Sequence, residues 1–118
     1  MKERIHIEVD NRGSFLLISV TGELSERTAV HFKKTSFSEI KEHGCSHMVI
    51  DFSKTDYIDS SGIGLLSALA VKLGELGGKL GVLSPSEAVR DVLAISFDRS
   101  NIREYKSLDE AAEDLDNV

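Results

Sequence analysis

The chain has 118 residues, and 14 Lys or Arg against 20 Asp or Glu give it a formal charge of −6 at pH 7. This length predicts one domain that folds without disulfides or a structural metal, and the acidic balance argues against direct nucleic-acid binding. The first ten residues lack the apolar core of a signal peptide, and no apolar run approaches the roughly 20 residues that span a bilayer. We therefore expect a cytoplasmic protein without a membrane partner.

The N-terminal residues predict a β-hairpin. Ile5, Ile7 and Val9 alternate with polar residues, which is the period of a half-buried strand. The turn signal Asn11–Gly13 then leads into the mostly apolar run Phe15–Val20, which is typical of a strand buried on both faces. We expect these two strands to pair antiparallel.

A helix and a third strand are predicted next. Gly22–Ser25 is expected to end the second strand, and the Ser25 hydroxyl is expected to cap the first helix. That helix is expected to end at Gly44, and its apolar residues fall at approximately helical spacing: Ala29, Phe32, Phe37 and Ile40. Met48–Phe52 then predicts a strand, followed by a loop through Tyr57.

The apolar stripe from Ile63 to Leu76 predicts a second helix. Gly77-Gly78 is expected to end it, and Lys79–Leu83 is expected to form a fourth strand. The segment Ser84–Glu87 is typical of a helix start, with Ser84 as the cap, Pro85 at the first helical position and Glu87 completing a capping box. The buried stripe of this third helix is expected at four apolar residues: Ala88, Val89, Val92 and Leu93.

A short strand over Ile102–Tyr105 and a capping box at Ser107–Glu110 complete the predicted elements. Strands that alternate with helices indicate right-handed crossovers and a mainly parallel sheet, which the N-terminal hairpin makes mixed. We therefore predict a single α/β domain over residues 1–118, with a mixed, mainly parallel sheet, an N-terminal β-hairpin and about four helices.

The turn Asp59-Ser60-Ser61-Gly62 is the candidate functional site. It follows the third strand, and ligands of α/β sheets tend to meet the carboxyl ends of strands. Asp59 or Ser60 is expected to cap the next helix, while Gly62 and Gly64 leave room for a partner backbone or a phosphate to approach. The free N–H groups and dipole of a helix start favour negative charge. By residue type alone, however, a plain N-cap is the commoner role of Asp and Ser here.

The same segment carries a resemblance to a known family. Val49–Phe52, a short spacer and then Tyr57–Leu66 are similar to the STAS-domain family, and in particular to bacterial anti-sigma-factor antagonists, whose pattern is an apolar strand followed by D-S-[ST]-G-[LIV]-G. The resemblance covers nearly the whole chain. Its supporting matches are Gly22-Glu23-Leu24, Ser84-Pro85, Val89–Leu93 and Ser107–Ala111.

The resemblance implies a phosphorylation switch. Ser60 matches the serine that this family phosphorylates. Unphosphorylated members bind an anti-sigma factor that is also a serine kinase, the kinase releases them by phosphorylating that serine with ATP, and a metal-dependent Ser/Thr phosphatase resets it. The expected contact surface is centred on Ser60 and includes the Gly22–Thr28 loop and the exposed side of the helix after Gly62. Its residues are Ser25, Thr28, Asp59, Ser61, Gly62 and Ile63.

One position departs from the family pattern. Switched members usually read G-E-L-D, and Ser25 stands where that aspartate would be. This favours keeping a second hypothesis, a phosphorylation-independent STAS scaffold or a subunit of a transport system. We expect no enzyme and no catalytic residue, because Ser60 lacks the Gly-x-Ser-x-Gly elbow and a positioned base.

No metal and no cofactor is expected either. The four histidines, His6, His31, His43 and His47, show no metal-ligand spacing, and Gly62-x-Gly64 is not a dinucleotide fingerprint. The single cysteine, Cys45, excludes an intrachain disulfide and is expected to be a buried structural thiol.

Overall fold

The computed structural model describes residues 5–83, 85–87, 89–91 and 102–116. Its strands are β1 (Ile5–Asn11), β2 (Leu16–Leu24), β3 (Met48–Ile58), β4 (Leu80–Leu83) and β5 (Ile102–Tyr105), and three of its helices are α1 (Ala29–His43), α2 (Ser60–Glu75) and α3 (Leu108–Asp116). Residues 87 and 89–91 are also helical. None of the helices in these ranges is long and apolar enough to cross a membrane.

The five strands form one sheet in the spatial order β1-β2-β3-β4-β5. β1 pairs with β2 antiparallel, and every other neighbouring pair is parallel. The predicted fold class, a mixed and mainly parallel α/β sheet with an N-terminal hairpin and four helices, is therefore confirmed. Leu24 and Ile58 are paired at the carboxyl ends of β2 and β3, so the loops that follow these two strands leave the sheet side by side.

Helices pack on both faces of the sheet. One face carries the larger core, which α1 and α2 cover and to which β2 contributes Leu16, Ile18 and Val20. The other face packs against α3, and Phe15 and Leu17 belong to that smaller core. The prediction that the second strand is buried on both faces is thus confirmed for its first half.

Both β2 and β3 are longer than the sequence predicted. Gly22–Ser25 was expected to break β2 and the residues through Tyr57 were expected to form a loop, but the two strands pair in parallel as far as Leu24 and Ile58, with register shifts. The Thr55 hydroxyl also donates to the Val20 carbonyl at 2.7 Å. The polar residues of this part of β3 are accommodated because the ladder satisfies their backbone groups.

The expected cap of α1 is wrong. The helix begins at Ala29, its N-cap residue is Thr28, and no side chain caps it. Ser25 contributes its backbone carbonyl, which accepts from the N–H groups of Thr28 (3.0 Å) and Ala29 (2.7 Å). The Thr28 hydroxyl accepts from the Ser25 N–H and donates to the Glu23 carbonyl, both at 2.8 Å. The helical stripe and the end at Gly44, a left-handed residue with φ 61°, are confirmed.

The end of α2 is confirmed at the predicted glycine pair. The N–H of Gly78 donates to the Leu73 carbonyl at 2.7 Å and that of Gly77 to the Gly74 carbonyl at 3.0 Å, which is a Schellman motif with Gly77 in the left-handed region. Leu76 lies after the last helical residue and is 47% exposed. It is therefore not part of the buried stripe that the sequence predicted.

The remaining caps are serine hydroxyls. The Ser107 hydroxyl accepts from the Glu110 N–H at 3.1 Å, which confirms the cap predicted for the last helix. In the helical residues 87 and 89–91, the Ser86 hydroxyl accepts from the N–H of the buried Val89 at 3.3 Å. The expected cap Ser84 and the expected stripe residues Ala88, Val92 and Leu93 lie outside the described residues.

Candidate functional site

The candidate turn lies where β3 passes into α2. Asp59 is the N-cap residue, and its Oδ1 accepts from the N–H groups of Ser61 at 3.0 Å and Gly62 at 3.3 Å. Of the two possible caps, Asp59 is therefore the one that is used. Ser60 is the first residue of α2 and is exposed to solvent, so its hydroxyl is presented at the surface.

Asp59 also joins the two segments that follow β2 and β3 at the carboxyl ends of these strands. Its second oxygen, Oδ2, accepts from the Glu26 N–H at 3.1 Å, and its own N–H donates to the Leu24 carbonyl at 3.2 Å. The carboxylate thus binds three backbone N–H groups from two segments. This clamp holds the loop after β2 against the start of α2 and fixes the position from which Ser60 projects.

Gly62 and Gly64 have different roles. A Cβ on Gly62 would lie 2.6 Å from the Leu24 carbonyl oxygen and 2.8 Å from Ile58 Cγ1, whereas a Cβ on Gly64 would meet nothing within 4 Å. The room at Gly62 was expected to serve an approaching partner. It is filled instead by the protein's own β2, because α2 packs directly against the end of that strand.

Several of the predicted contact residues are inside the protein. Ser25 is 6% exposed, Thr28 is 1% exposed and Gly62 is buried, whereas Asp59, Ser61 and Ile63 are half-buried. Among the described residues, the Ser25 hydroxyl is a buried polar group without a hydrogen-bond partner. These three buried residues shape the surface but contribute little of it.

Two large apolar side chains on the elements that adjoin the site are exposed, and the sequence had singled out the segment of Tyr57 but not Val30. Tyr57 is 50% exposed and lies two residues before Asp59, and Val30 is 74% exposed in the first turn of α1. Tyr57 was assigned to a polar loop, although its pairing with Glu23 places it on β3. Val30 lies outside the apolar stripe of α1, and this position in the sequence could have indicated that its side chain is exposed.

A group that a metal ion would suit lies elsewhere. The carboxylates of Glu39 and Glu42 and the imidazole of His43 come within 4.8 Å of one another near the end of α1. His43 Nε2 lies 3.2 Å from Glu39 Oε1 as an exposed pair at i, i+4 spacing. Glu39, Glu42 and His43 are spaced i, i+3 and i+4 on one helix, and that spacing was the signal in the sequence for this group.

Comparison with known proteins identifies the family. The family model that matches is described as the STAS domain, and it matches residues 6–111. The chain belongs to the STAS family. A curated relative of this domain is the anti-sigma F factor antagonist of Paenibacillus polymyxa, which is 24% identical over 92 residues, or 78% of this chain and 79% of the relative.

Solved structures of anti-sigma factor antagonists share this fold. An anti-sigma factor antagonist from Mycobacterium paratuberculosis has a TM-score of 0.83 at 25% identity, with 95% of this chain and 94% of that chain covered. The antagonist SpoIIAA in its unphosphorylated form has a TM-score of 0.82 at 20% identity, with 96% and 98% covered. SpoIIAA of Bacillus in its phosphorylated form has a TM-score of 0.72 at 20% identity, with 92% and 98% covered.

The same fold occurs within a much longer chain. The murine anion transporter Slc26a9 has a TM-score of 0.75 at 14% identity, and the match covers 89% of this chain but 18% of the transporter. At this identity the likeness shows the fold alone.

Proposed function

We propose that the protein is an anti-sigma-factor antagonist that binds an anti-sigma factor with serine-kinase activity and is released when that kinase phosphorylates Ser60. The observation that carries the proposal is the exposed Ser60 hydroxyl at the first position of α2, within an Asp-Ser-Ser-Gly turn that the Asp59 clamp holds in place. The names of the Paenibacillus and Mycobacterium relatives support it.

The unphosphorylated surface around Ser60 suits a protein partner. Tyr57 is exposed two residues before Asp59, and Val30 is exposed four residues after Glu26, whose N–H Asp59 binds. Aromatic anchors near the centre of an interface carry much of its binding energy, and a specific complex typically buries about 1,200–2,000 Å² in total. In this proposal the partner covers Tyr57, Val30 and the Ser60 hydroxyl together.

Phosphorylation then acts through the negative charge that it adds at Ser60. The phosphoryl group passes from ATP to the Ser60 oxygen, ADP leaves, and the serine proton goes to a base of the kinase. The product carries about −1.5 to −2 units of charge. Because Asp59 already accepts from the Ser61 and Gly62 N–H groups, the phosphate lies beside a carboxylate and faces solvent. A docked partner would have to desolvate both anions, so binding weakens while the fold stays intact.

A metal-dependent Ser/Thr phosphatase completes the cycle by hydrolysing the phosphoserine. The protein itself acts in this scheme as a regulatory binding protein and supplies no catalytic residue. It needs no cofactor of its own, because ATP and the metal belong to its partners, and it contacts neither nucleic acid nor membrane. In a cell this places its action in the cytoplasm, where the sigma factor is.

The test uses the purified chain with the candidate anti-sigma kinases of the same organism. Ser60→Ala should bind the kinase that phosphorylates the parent chain and remain unphosphorylated, and Ser60→Asp should bind at least about ten-fold more weakly while its circular dichroism is unchanged. Ser61→Ala is the matched control, because Ser61 is the half-buried neighbour, and it should be phosphorylated normally. Phosphate on another residue, or equal binding by Ser60→Asp, would contradict the proposal.

A phosphorylation-independent STAS scaffold or transport-system subunit is the second candidate. Ser25 favours it, since a neutral buried hydroxyl stands where switched members carry an aspartate, and the likeness to Slc26a9 shows the fold inside a transporter. An affinity pull-down distinguishes the two candidates. Recovery of transporter subunits without an ATP-binding kinase favours the scaffold, and recovery of the kinase favours the switch.

A further inference from the structure

A groove of about 710 Å³ lies between the C-terminal ends of α1 and α2. On α2 the groove begins at Lys72, which is 12 residues after Ser60, so at 1.5 Å per residue it starts about 18 Å from Ser60 along the helix. The volume falls within the range of about 300–1,000 Å³ that is usual for small-molecule sites. The groove therefore lies apart from the proposed partner surface.

The walls of the groove are fixed by the two helix ends. Gly44 closes α1 with its N–H on the Ile40 carbonyl at 3.0 Å. The Schellman motif of Gly77 and Gly78 closes α2, and a Cβ on Gly78 would lie 1.5 Å from the Ser46 carbonyl oxygen. The segment after α1 and the segment after α2 are thus in close contact, so the groove is formed before any ligand arrives.

The lining combines an apolar surface with two cations. Phe37 and Leu76 are partly exposed into it, and Ile40 forms part of its buried wall. Lys41 and Lys72 are exposed, and neither forms an ion pair within the described residues. No lining residue is acidic, although the whole chain has 20 acidic residues against 14 basic ones. The charged side chains that line the groove are thus both cationic, which favours an anionic ligand over a cationic one.

We propose that this groove binds a single-chain amphiphile with an anionic head, such as a medium-chain fatty carboxylate. The apolar chain lies on Phe37, Ile40 and Leu76, and the head lies between the Lys41 and Lys72 ammonium groups. Seven residues line the groove, far fewer than the roughly 20–30 that a protein interface uses on each side. The net charge of −6 disfavours the negative surface of a bilayer as the occupant.

Amide chemical shifts of the full ¹⁵N-labelled chain test the proposal, with sodium decanoate added below its micelle concentration. Saturable shifts are expected at Gly44, Ser46 and Gly77, and none at Ser60. Decanol and decyltrimethylammonium have the same chain with a neutral and a cationic head, and both should bind more weakly. Shifts without saturation, or equal affinity for decanol, would overturn the proposal.

Two double substitutions distinguish binding in the groove from non-specific adsorption of the amphiphile. Lys41→Gln with Lys72→Gln should weaken decanoate binding by about ten-fold, as expected for two exposed ion pairs. Lys34→Gln with Lys106→Gln is the matched control at exposed lysines elsewhere, and it should bind as the parent does. Equal loss in both pairs, or shifts induced by an acidic peptide or by phosphatidylglycerol vesicles but not by decanoate, would overturn the assignment.

Discussion

Replacement of Asp59 is expected to loosen both loops of the Ser60 site. Asp59 accepts from three backbone N–H groups, two at the start of α2 and one at Glu26. Loss of an N-cap costs about 1 kcal/mol, and loss of a hydrogen bond to a charged group costs about 1.5–3 kcal/mol. Because Asp59 is half-buried, we expect Asp59→Ala to lower the free energy of unfolding by about 2.5 kcal/mol, the low end of that sum.

Asp59→Asn separates the two parts of this effect. Asn is as good an N-cap as Asp, so its oxygen should keep the Ser61 and Gly62 contacts. Its amide nitrogen cannot accept from the Glu26 N–H, which should cost about 1.5 kcal/mol. Urea unfolding at fixed pH measures both values, and domains with about 5–15 kcal/mol of stability remain folded after either change.

Amide hydrogen exchange shows where each variant acts. Asp59→Asn should expose only the Glu26 amide, whereas Asp59→Ala should also expose those of Ser61 and Gly62. If the free energy of unfolding of Asp59→Ala lies within 0.5 kcal/mol of the parent value, as expected for a surface residue without special contacts, the clamp is not a stabilising contact. Equal exchange at Glu26 in parent and variants would refute it as well.

Three further changes test other parts of the structure. Burial and then the Lys79 charge lower the pKa of His47 below its ordinary value of 6.5, so as the pH falls below 6.5 the unfolded chain binds a proton that folded His47 resists, and stability should fall. His47→Asn can still accept from the Lys79 N–H and should abolish this pH dependence of the free energy of unfolding, measured by urea unfolding. An unchanged pH dependence would show that another group causes it. Gly62→Ala should destabilise because its Cβ meets backbone at 2.6 Å, whereas Gly64→Ala should stabilise by up to about 1 kcal/mol, and thermal unfolding of the pair would show the reverse order if the packing is misassigned. Ser25→Ala should leave stability unchanged or raise it by about 1 kcal/mol, since it removes a buried hydroxyl without a partner, and a loss above 1 kcal/mol would reveal a partner.

The sequence predicted the fold because its local signals agree with the long-range structure. The period of Ile5, Ile7 and Val9, the stripe of α2 and the glycine ends at Gly44 and Gly77 each depend on few neighbours. Because ligands of α/β sheets tend to meet the carboxyl ends of strands, the sequence also predicted that Ser60 lies beyond the carboxyl end of β3, where it is found.

The errors concern contacts that join distant segments. The polar end of β3 is a strand because it pairs with β2, and nothing in the sequence of residues 53–57 indicates that pairing. Ser25 is of a residue type that often caps helices with its hydroxyl. Here its N–H donates to the Thr28 hydroxyl, and the backbone carbonyl of Ser25, not its hydroxyl, closes the turn. The exposure of Tyr57 and Val30 likewise depends on which faces of the sheet and helix are covered, and residue type alone does not show that.

The most direct test of the proposed switch compares one purified chain before and after phosphorylation. The chain is incubated with each candidate anti-sigma kinase of the same organism and ATP, the modified residue is located by mass spectrometry, and the affinity of both forms for that kinase is measured. The proposed switch predicts a single phosphate on Ser60 and binding weaker by at least about ten-fold. Unmodified Ser60, or a phosphorylated form that binds as tightly as the unphosphorylated one, would contradict it.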